Sequence, residues 1–131
     1  RIRSHTIPRI DSQISISGEQ PFETARTKSW NYTTENLYHF FLIGLMANNV
    51  GHDLFNYSNP AGSGYKKAKD YAIPYVKDPS RWPHKMIVPF DIKRLQATIQ
   101  IADSVYADTR YQEVIEEQDW GEISLRFFLR Q

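Results

Sequence analysis

The sequence predicts an all-α fold. Apolar residues recur at spacings of three and four over much of the chain, and Gly and Pro stand where such segments would end. With 131 residues, of which 40% are apolar and 14% aromatic, the chain can fill one modest hydrophobic core. It contains no internal repeat and no low-complexity segment. We therefore expect a single helical unit.

A first, short helix is predicted from Ile7, Ile10 and Ile14, which are three and four residues apart. Pro8 is expected in its first turn, where a missing N–H is tolerated, and Ser17-Gly18 is expected to end it. Most residues from 18 to 31 are polar or turn-forming. This stretch is predicted to be an ordered loop.

A buried helix is predicted next, with Thr33 or Thr34 as its cap and Gly51 at its end. Its apolar residues are almost continuous: Leu37, Phe40, Phe41, Ile43, Leu45 and Met46. This pattern is typical of a helix that is covered on nearly all sides, which favours a larger helical assembly. The chain also opens without Met, directly in a helical pattern, so we interpret it as part of a longer protein.

The second half alternates between loops and helices. Turn-forming residues at 56–63 precede a helical pattern at 66–76, which Pro74 is expected to end or kink. Asp-Pro and Trp-Pro dipeptides predict a loop at 77–83. Another helix is predicted from Asp91 by the spacing of Leu95, Ile99, Ala102 and Val105. Residues 110–118 could form its partner, and residues 123–129 fit either a strand or a helix.

Composition excludes several functions. Sixteen Lys and Arg residues balance fifteen Asp and Glu residues, so the net charge of +1 provides no strong field for nucleic acid or an anionic membrane, and neither is expected as a partner. The absence of cysteine excludes disulfides, thiolate zinc sites and a cysteine nucleophile. The four histidines lack a paired spacing, so no metal and no other cofactor is implied.

Residues 18–32 read GEQPFETARTKSWNY and resemble the "dG-QP-EL-ART-sw-Y" segment of alginate-lyase-like enzymes. The similarity continues, in the same order, through VGHDLFNY at 50–57, Lys67-Ala68, Tyr71 and Trp82-Pro83. It covers residues 9–86. The resemblance implies an α/α toroid, in which helical hairpins surround a cleft, and residues 1–131 would form the C-terminal part of one such domain.

The resemblance also implies a polysaccharide lyase that cleaves a uronic-acid polymer by β-elimination. Such an enzyme must neutralise the C6 carboxylate, remove the weakly acidic C5 proton and donate a proton to the departing O4. Alginate is the default substrate of the family, and glucuronan is the alternative. Because the polymer is too large to enter a cell, a secreted or periplasmic location is expected.

Arg26 and Tyr32 are the predicted catalytic residues. Arg26 offers a permanent charge and a fork of donors for the substrate carboxylate. Tyr32 would transfer the protons, and because a phenol has a reference pKa of about 10, it needs a nearby cation such as Arg26 to act as a base. The structural alternatives are an ion pair of Arg26 with Glu23 or Glu35, and core packing of Tyr32.

Further candidates for substrate contact are Lys28, Trp30, Tyr38, His39 and Trp82. The two tryptophans could stack on sugar rings, although large aromatic side chains more often fill gaps between helices. His39 could face the cleft, although an ordinary surface or core histidine is the simpler interpretation. Asp53 is expected to cap a turn or a helix instead of binding substrate.

One element of the family's active site has no match. The family carries an Asn-His pair upstream of the "QP-EL-ART" segment, whereas Asn48-Asn49 follows the tyrosine and lacks an adjacent histidine. We therefore expect the active site to be incomplete in this chain. An upstream part of the same protein would supply the pair.

Two other classes of function stay open. A glycoside hydrolase on a related helical barrel would need two facing carboxylates, for which Glu23 and Glu35 are candidates. A noncatalytic acidic-glycan-binding or scaffold module would use the same arginine and aromatic residues without cleavage. A lyase leaves an unsaturated product that absorbs in the ultraviolet, and neither alternative does.

Overall fold

A computed structural model describes residues 2–107, and these residues form six α-helices and two 3-10 turns. The helices are α1 (Ile2–Gln13), α2 (Pro21–Thr24), α3 (Ser29–Asn49), α4 (Tyr65–Ala72), α5 (Pro74–Lys77) and α6 (Gln96–Tyr106). The 3-10 turns are Pro79–Arg81 and Ile92–Leu95. Over this range the all-α prediction is confirmed. The elements predicted at 110–118 and 123–129 lie outside the described residues.

Helix α1 begins earlier than predicted, at Ile2, so Pro8 lies inside it and not in its first turn. The apolar repeat that marks this helix starts only at Ile7, because the residues from Arg3 to Thr6 are polar and give no periodic signal. Ile10 and Ile14 are buried in the core, as their spacing predicts. Gly18 follows the helix in a left-handed conformation, with φ of +92°.

Helix α3 also begins earlier than predicted, and neither Thr33 nor Thr34 caps it. Lys28 occupies the N-cap position without a side-chain cap, and the Thr34 hydroxyl donates to the Trp30 carbonyl inside the helix at 2.8 Å. The segment predicted as a loop at 18–31 accordingly contains α2 and the start of α3. The far end agrees with prediction, since α3 ends at Asn49 and Gly51 follows with φ of +83°.

The hydrogen bonds at the start of α3 are instead made with a distant segment, residues 84–87, here called the strap. The Ser29 backbone N–H donates to the Lys85 carbonyl at 3.2 Å, and the Ser29 hydroxyl donates to the same oxygen at 2.6 Å. The Ile87 N–H donates to the Thr27 carbonyl at 3.1 Å, next to an antiparallel bridge between Lys28 and Met86. The strap therefore holds the chain that leads into α3.

The core surrounds α3. Helix α4 and helix α6 pack against it, and Pro74 separates α4 from α5, as predicted. A cluster of rings fills the space between these helices, with centroid distances of 5.1 to 6.3 Å: Phe40, Phe41, Phe55, Tyr65 and Tyr106. Burial of these apolar surfaces is the main force that holds the helices together. Burial is nevertheless incomplete, since Met46 on α3 is 59% exposed.

Two tyrosines of this cluster differ in their hydroxyl partners, and this difference predicts opposite effects of removing the hydroxyl. Tyr65 is fully buried and its hydroxyl has no hydrogen-bond partner within residues 2–107, whereas the Tyr106 hydroxyl donates to the Phe55 carbonyl at 2.7 Å. Tyr65→Phe is expected to leave the free energy of unfolding unchanged or to raise it by up to about 1 kcal/mol. Tyr106→Phe should lower it by about 1 kcal/mol, because the Phe55 carbonyl loses its donor.

Urea denaturation of the two variants would measure this difference directly, and each is the control for the other because both lose one oxygen from a ring of the same cluster. Equal destabilisation by the two substitutions would contradict the assignment of hydroxyl partners.

Candidate active site

The chain before α3 is anchored so that Arg26 lies beside the first turns of that helix. Gln20 is buried, and its side-chain amide donates to the Thr33 carbonyl at 3.2 Å and accepts from the Asn36 amide at 2.7 Å. Pro21 then starts the single turn of α2, and the Arg26 N–H donates to the Glu23 carbonyl at 3.1 Å. Sequence reasoning did not single out Gln20, although it stands within the segment that carries the family resemblance.

Arg26 and Tyr32 are in direct contact. The guanidinium carbon of Arg26 lies 3.2 Å from the centroid of the Tyr32 ring, which is close enough for a cation–π interaction. Its Nη1 atom lies 3.2 Å from the Glu23 carboxylate. The Arg26 side chain is 49% exposed and Tyr32 is partly buried, so the pair is open to solvent. The cation and phenol are therefore together, and the ion pair expected as the structural alternative is present as well.

The contact leaves Arg26 with donors for a further ligand. A guanidinium has five N–H donors in one plane, and within the described residues Glu23 engages it only at Nη1. Because the ring covers one face, a ligand can approach along the edge of the plane, where a carboxylate forms two parallel hydrogen bonds. Glu35, the other predicted partner, lies exposed on α3.

Trp30 and Trp82 are core residues, so their prediction as sugar-stacking side chains is corrected. Trp30 is fully buried and Trp82 is 8% exposed. Their rings meet edge to face at 5.0 Å, and Phe90 stacks on Trp30 at 4.2 Å. The Trp30 indole N–H donates to the Asp91 carbonyl at 2.9 Å, and that of Trp82 donates to the Ser29 hydroxyl at 2.8 Å. Their burial and the protein acceptors of both indole N–H groups place the two rings in the core and leave almost no ring surface for a sugar.

Lys28, Tyr38 and His39 occupy different positions around α3. The backbone of Lys28 is held by the strap, and its side chain is partly exposed close to Arg26 in the chain. His39 is exposed and lines a groove of about 530 Å³ between α1 and α3, together with Arg9 and Asn36. The partly buried Tyr38 ring lies 6.3 Å from the His39 ring.

The groove lies on the same side of α3 as Tyr32. Tyr32, Asn36 and His39 are four and three residues apart, a spacing that places side chains on one face of a helix. His39 therefore lies on the same face of α3 as Tyr32, which contacts Arg26.

A cluster of polar residues that the sequence did not predict lies on the strap side of the site. The Tyr71 hydroxyl lies 2.6 Å from His84 Nε2 and 3.3 Å from a Glu19 carboxylate oxygen, and that oxygen lies 3.1 Å from His84 Nε2. Burial raises the pKa of the Tyr71 phenol, and the Glu19 charge raises it further, so the phenol stays protonated and available as a donor. The cluster joins the loop before α2, helix α4 and the strap.

Asp53 caps a turn, as predicted. Its carboxylate accepts from the Asn56 side-chain amide at 2.7 Å and from the Asn56 backbone N–H at 3.1 Å, and these hydrogen bonds lower its pKa. Within residues 2–107, no group of three His, Cys, Asp or Glu side chains is placed to hold a metal ion. Among the helices of that range, none has the length and apolarity that a bilayer-spanning segment requires.

Comparison with known proteins identifies the class and the family. The helical arrangement of this chain is similar to that of a crystal structure of an alginate lyase from Bacteroides ovatus, with a TM-score of 0.80 and 28% sequence identity over 86% of this chain and 30% of that chain. The fold is therefore part of an α/α toroid. The alginate lyase family profile matches residues 3–82, so the chain belongs to the alginate lyase family. No curated protein sequence matches it significantly.

Proposed function

We propose that this chain carries part of the active site of a polysaccharide lyase that cleaves a uronic-acid polymer by β-elimination. The observation that carries the proposal is the 3.2 Å contact between the Arg26 guanidinium and the Tyr32 ring on an open surface. Both residues belong to the segment that matches the family profile. A permanent cation can bind the substrate carboxylate and a phenol beside it can transfer protons, which are two of the tasks in elimination next to a carboxylate.

In this proposal Arg26 binds the C6 carboxylate of the sugar whose C5–H bond breaks. The positive charge offsets the negative charge that develops on the carboxylate as the C5 proton leaves. Tyr32 takes up that proton as a phenolate and later gives a proton to O4. The electron pair of the C5–H bond forms the C4–C5 double bond while the C4–O4 bond breaks, so no water is consumed.

The active site would be completed by a further segment of the same protein that carries an Asn-His pair. No Asn-His dipeptide occurs in this sequence, and the chain spans 30% of the length of the Bacteroides ovatus lyase to which it is similar. Residues 1–131 would then form the C-terminal part of a single α/α-toroid domain. The pair would share carboxylate neutralisation with Arg26 and proton removal with Tyr32.

Alginate is the proposed substrate, with glucuronan as the alternative, and a secreted or periplasmic location follows from the size of either polymer. The name of the family and that of the similar structure support alginate. An arginine alone does not separate these polymers, because mannuronate, guluronate and glucuronate present the same carboxylate. Contacts to the ring hydroxyls must decide between them.

The test is to incubate the full-length protein with polymannuronate, polyguluronate and glucuronan and to follow ultraviolet absorbance and reducing ends together. A lyase raises both signals, because each cleavage creates one unsaturated end and one reducing end. Reducing ends without absorbance would show hydrolysis and turn attention to Glu23 and Glu35. Binding of a polymer without either signal would show a glycan-binding module, and either result would contradict the proposal.

A further inference from the structure

We propose that Glu23 is a positioning residue for this reaction: its carboxylate holds the Arg26 guanidinium over the Tyr32 ring, so that cation and phenol are together before a substrate binds. The inference rests on the roles proposed above for Arg26 and Tyr32. It concerns a residue that would not touch the substrate and would act through Arg26.

Glu23 is itself held in place. Its backbone N–H donates to the Gln20 carbonyl at 2.9 Å, and Gln20 is buried and bonded to α3 through the Thr33 carbonyl. Pro21 restricts the backbone at the start of the same turn. The Glu23 side chain is 19% exposed, whereas that of Arg26 is 49% exposed. The carboxylate is therefore the more buried partner of the ion pair, on an anchored turn, and the guanidinium is the more exposed one.

Arg26 needs a second contact to stay on the ring. An arginine side chain has many rotamers, and a cation–π contact at an exposed site is weak compared with the entropy lost when such a side chain is immobilised. The ion pair between Arg26 Nη1 and the Glu23 carboxylate, at 3.2 Å, supplies this second contact. With the ring centroid 3.2 Å from the guanidinium carbon and the Glu23 carboxylate at Nη1, two contacts define the position of the guanidinium.

The arrangement also leaves Arg26 able to act. Glu23 engages Nη1 alone among the described contacts, so donors at Nε and Nη2 can still receive a substrate carboxylate. A carboxylate that engaged the guanidinium through two bonds would instead compete with the substrate. The single contact is thus suited to orienting the cation without occupying it.

Kinetics of Glu23→Gln in the full-length protein test the proposal, because glutamine keeps the size and an acceptor but removes the charge. We expect kcat to fall about 10–100-fold, the effect of a misplaced catalytic group, and KM to rise by a smaller factor, because Arg26 also holds the substrate carboxylate. Glu23→Asp should recover part of the loss. Asp103→Asn is the matched control: it also removes one carboxylate, but on α6, and should leave kcat unchanged.

A spectroscopic measurement separates this role from a structural one. A guanidinium 3.2 Å above a ring centroid is shielded by the ring current, so the NMR signals of Arg26 should lie upfield of those of the other arginines. Glu23→Gln should move them to ordinary positions, and Glu23→Asp should restore part of the shift. Far-ultraviolet circular dichroism checks that both variants remain folded.

The outcomes distinguish the two proposals. An upfield Arg26 signal that persists in Glu23→Gln, or a lost signal with unchanged kcat, would overturn the positioning role and leave the lyase assignment intact. Full activity of Arg26→Ala would instead refute the proposed function itself. Loss of the upfield signal together with reduced kcat in Glu23→Gln would support the inference.

Discussion

Replacing Tyr32 with Phe is expected to lower the turnover of a polyuronate about 10²–10⁴-fold, the usual contribution of a positioned acid–base group. The substitution removes only the hydroxyl and keeps the ring on which the Arg26 guanidinium lies. Substrate binding should therefore change little, because the carboxylate is held by Arg26. A loss that falls on kcat with little change in affinity is the signature of a group needed only for the chemical step.

The measurement combines initial rates of ultraviolet absorbance at saturating polymer with calorimetric titration of an oligouronate, both on the full-length protein. Tyr65→Phe is the matched control, since it removes one hydroxyl from a fully buried ring in the core and should retain full activity. Turnover of Tyr32→Phe at the rate of the unmodified protein would remove Tyr32 from the mechanism.

Gly18→Ala is expected to lower the free energy of unfolding by roughly 3–5 kcal/mol, at the upper end of single substitutions. Gly18 has φ of +92°, and an added Cβ would lie 2.1 Å from the Lys67 carbonyl oxygen and 3.0 Å from Tyr71 Cβ. Both neighbours belong to α4, so relief of the overlap requires movement of a helix relative to the loop. That loop continues directly into Glu19 and Gln20, and the change should also disturb the site.

Gly62→Ala provides the control for this prediction. Gly62 has nearly the same backbone angle, φ of +93°, but an added Cβ would meet nothing within 4 Å. Only the conformational cost remains, which is about 1–2 kcal/mol. Urea denaturation of both variants would isolate the steric part as the difference between them. Equal losses would show that α4 and the loop can separate at little cost.

The central parts of the helices can be predicted from local sequence, because the patterns that indicate them involve residues close together in the chain. Apolar spacing predicts α3, α4 and α6, Gly51 predicts the end of α3, and Pro74 predicts the break between α4 and α5. The starts of α1 and α3 could not be predicted in the same way. At the start of α3, Ser29 donates hydrogen bonds to the Lys85 carbonyl, 56 positions away in the chain. The sequence near Ser29 therefore contains no capping residue that would predict this start.

The candidate site likewise has a part that the sequence predicts and a part that it does not. Arg26 and Tyr32 can be proposed from residue chemistry and a family resemblance, because both lie within one short segment. Burial of Trp30 and Trp82 depends on where Phe90, Asp91 and Ser29 come to lie, and the cluster of Glu19, Tyr71 and His84 joins three separate segments. Burial and hydrogen bonds depend on distances in space, and a pattern along the chain does not contain these distances. The packing of the helices therefore determines which aromatic rings are buried. It also determines that the Arg26 guanidinium contacts the Tyr32 ring.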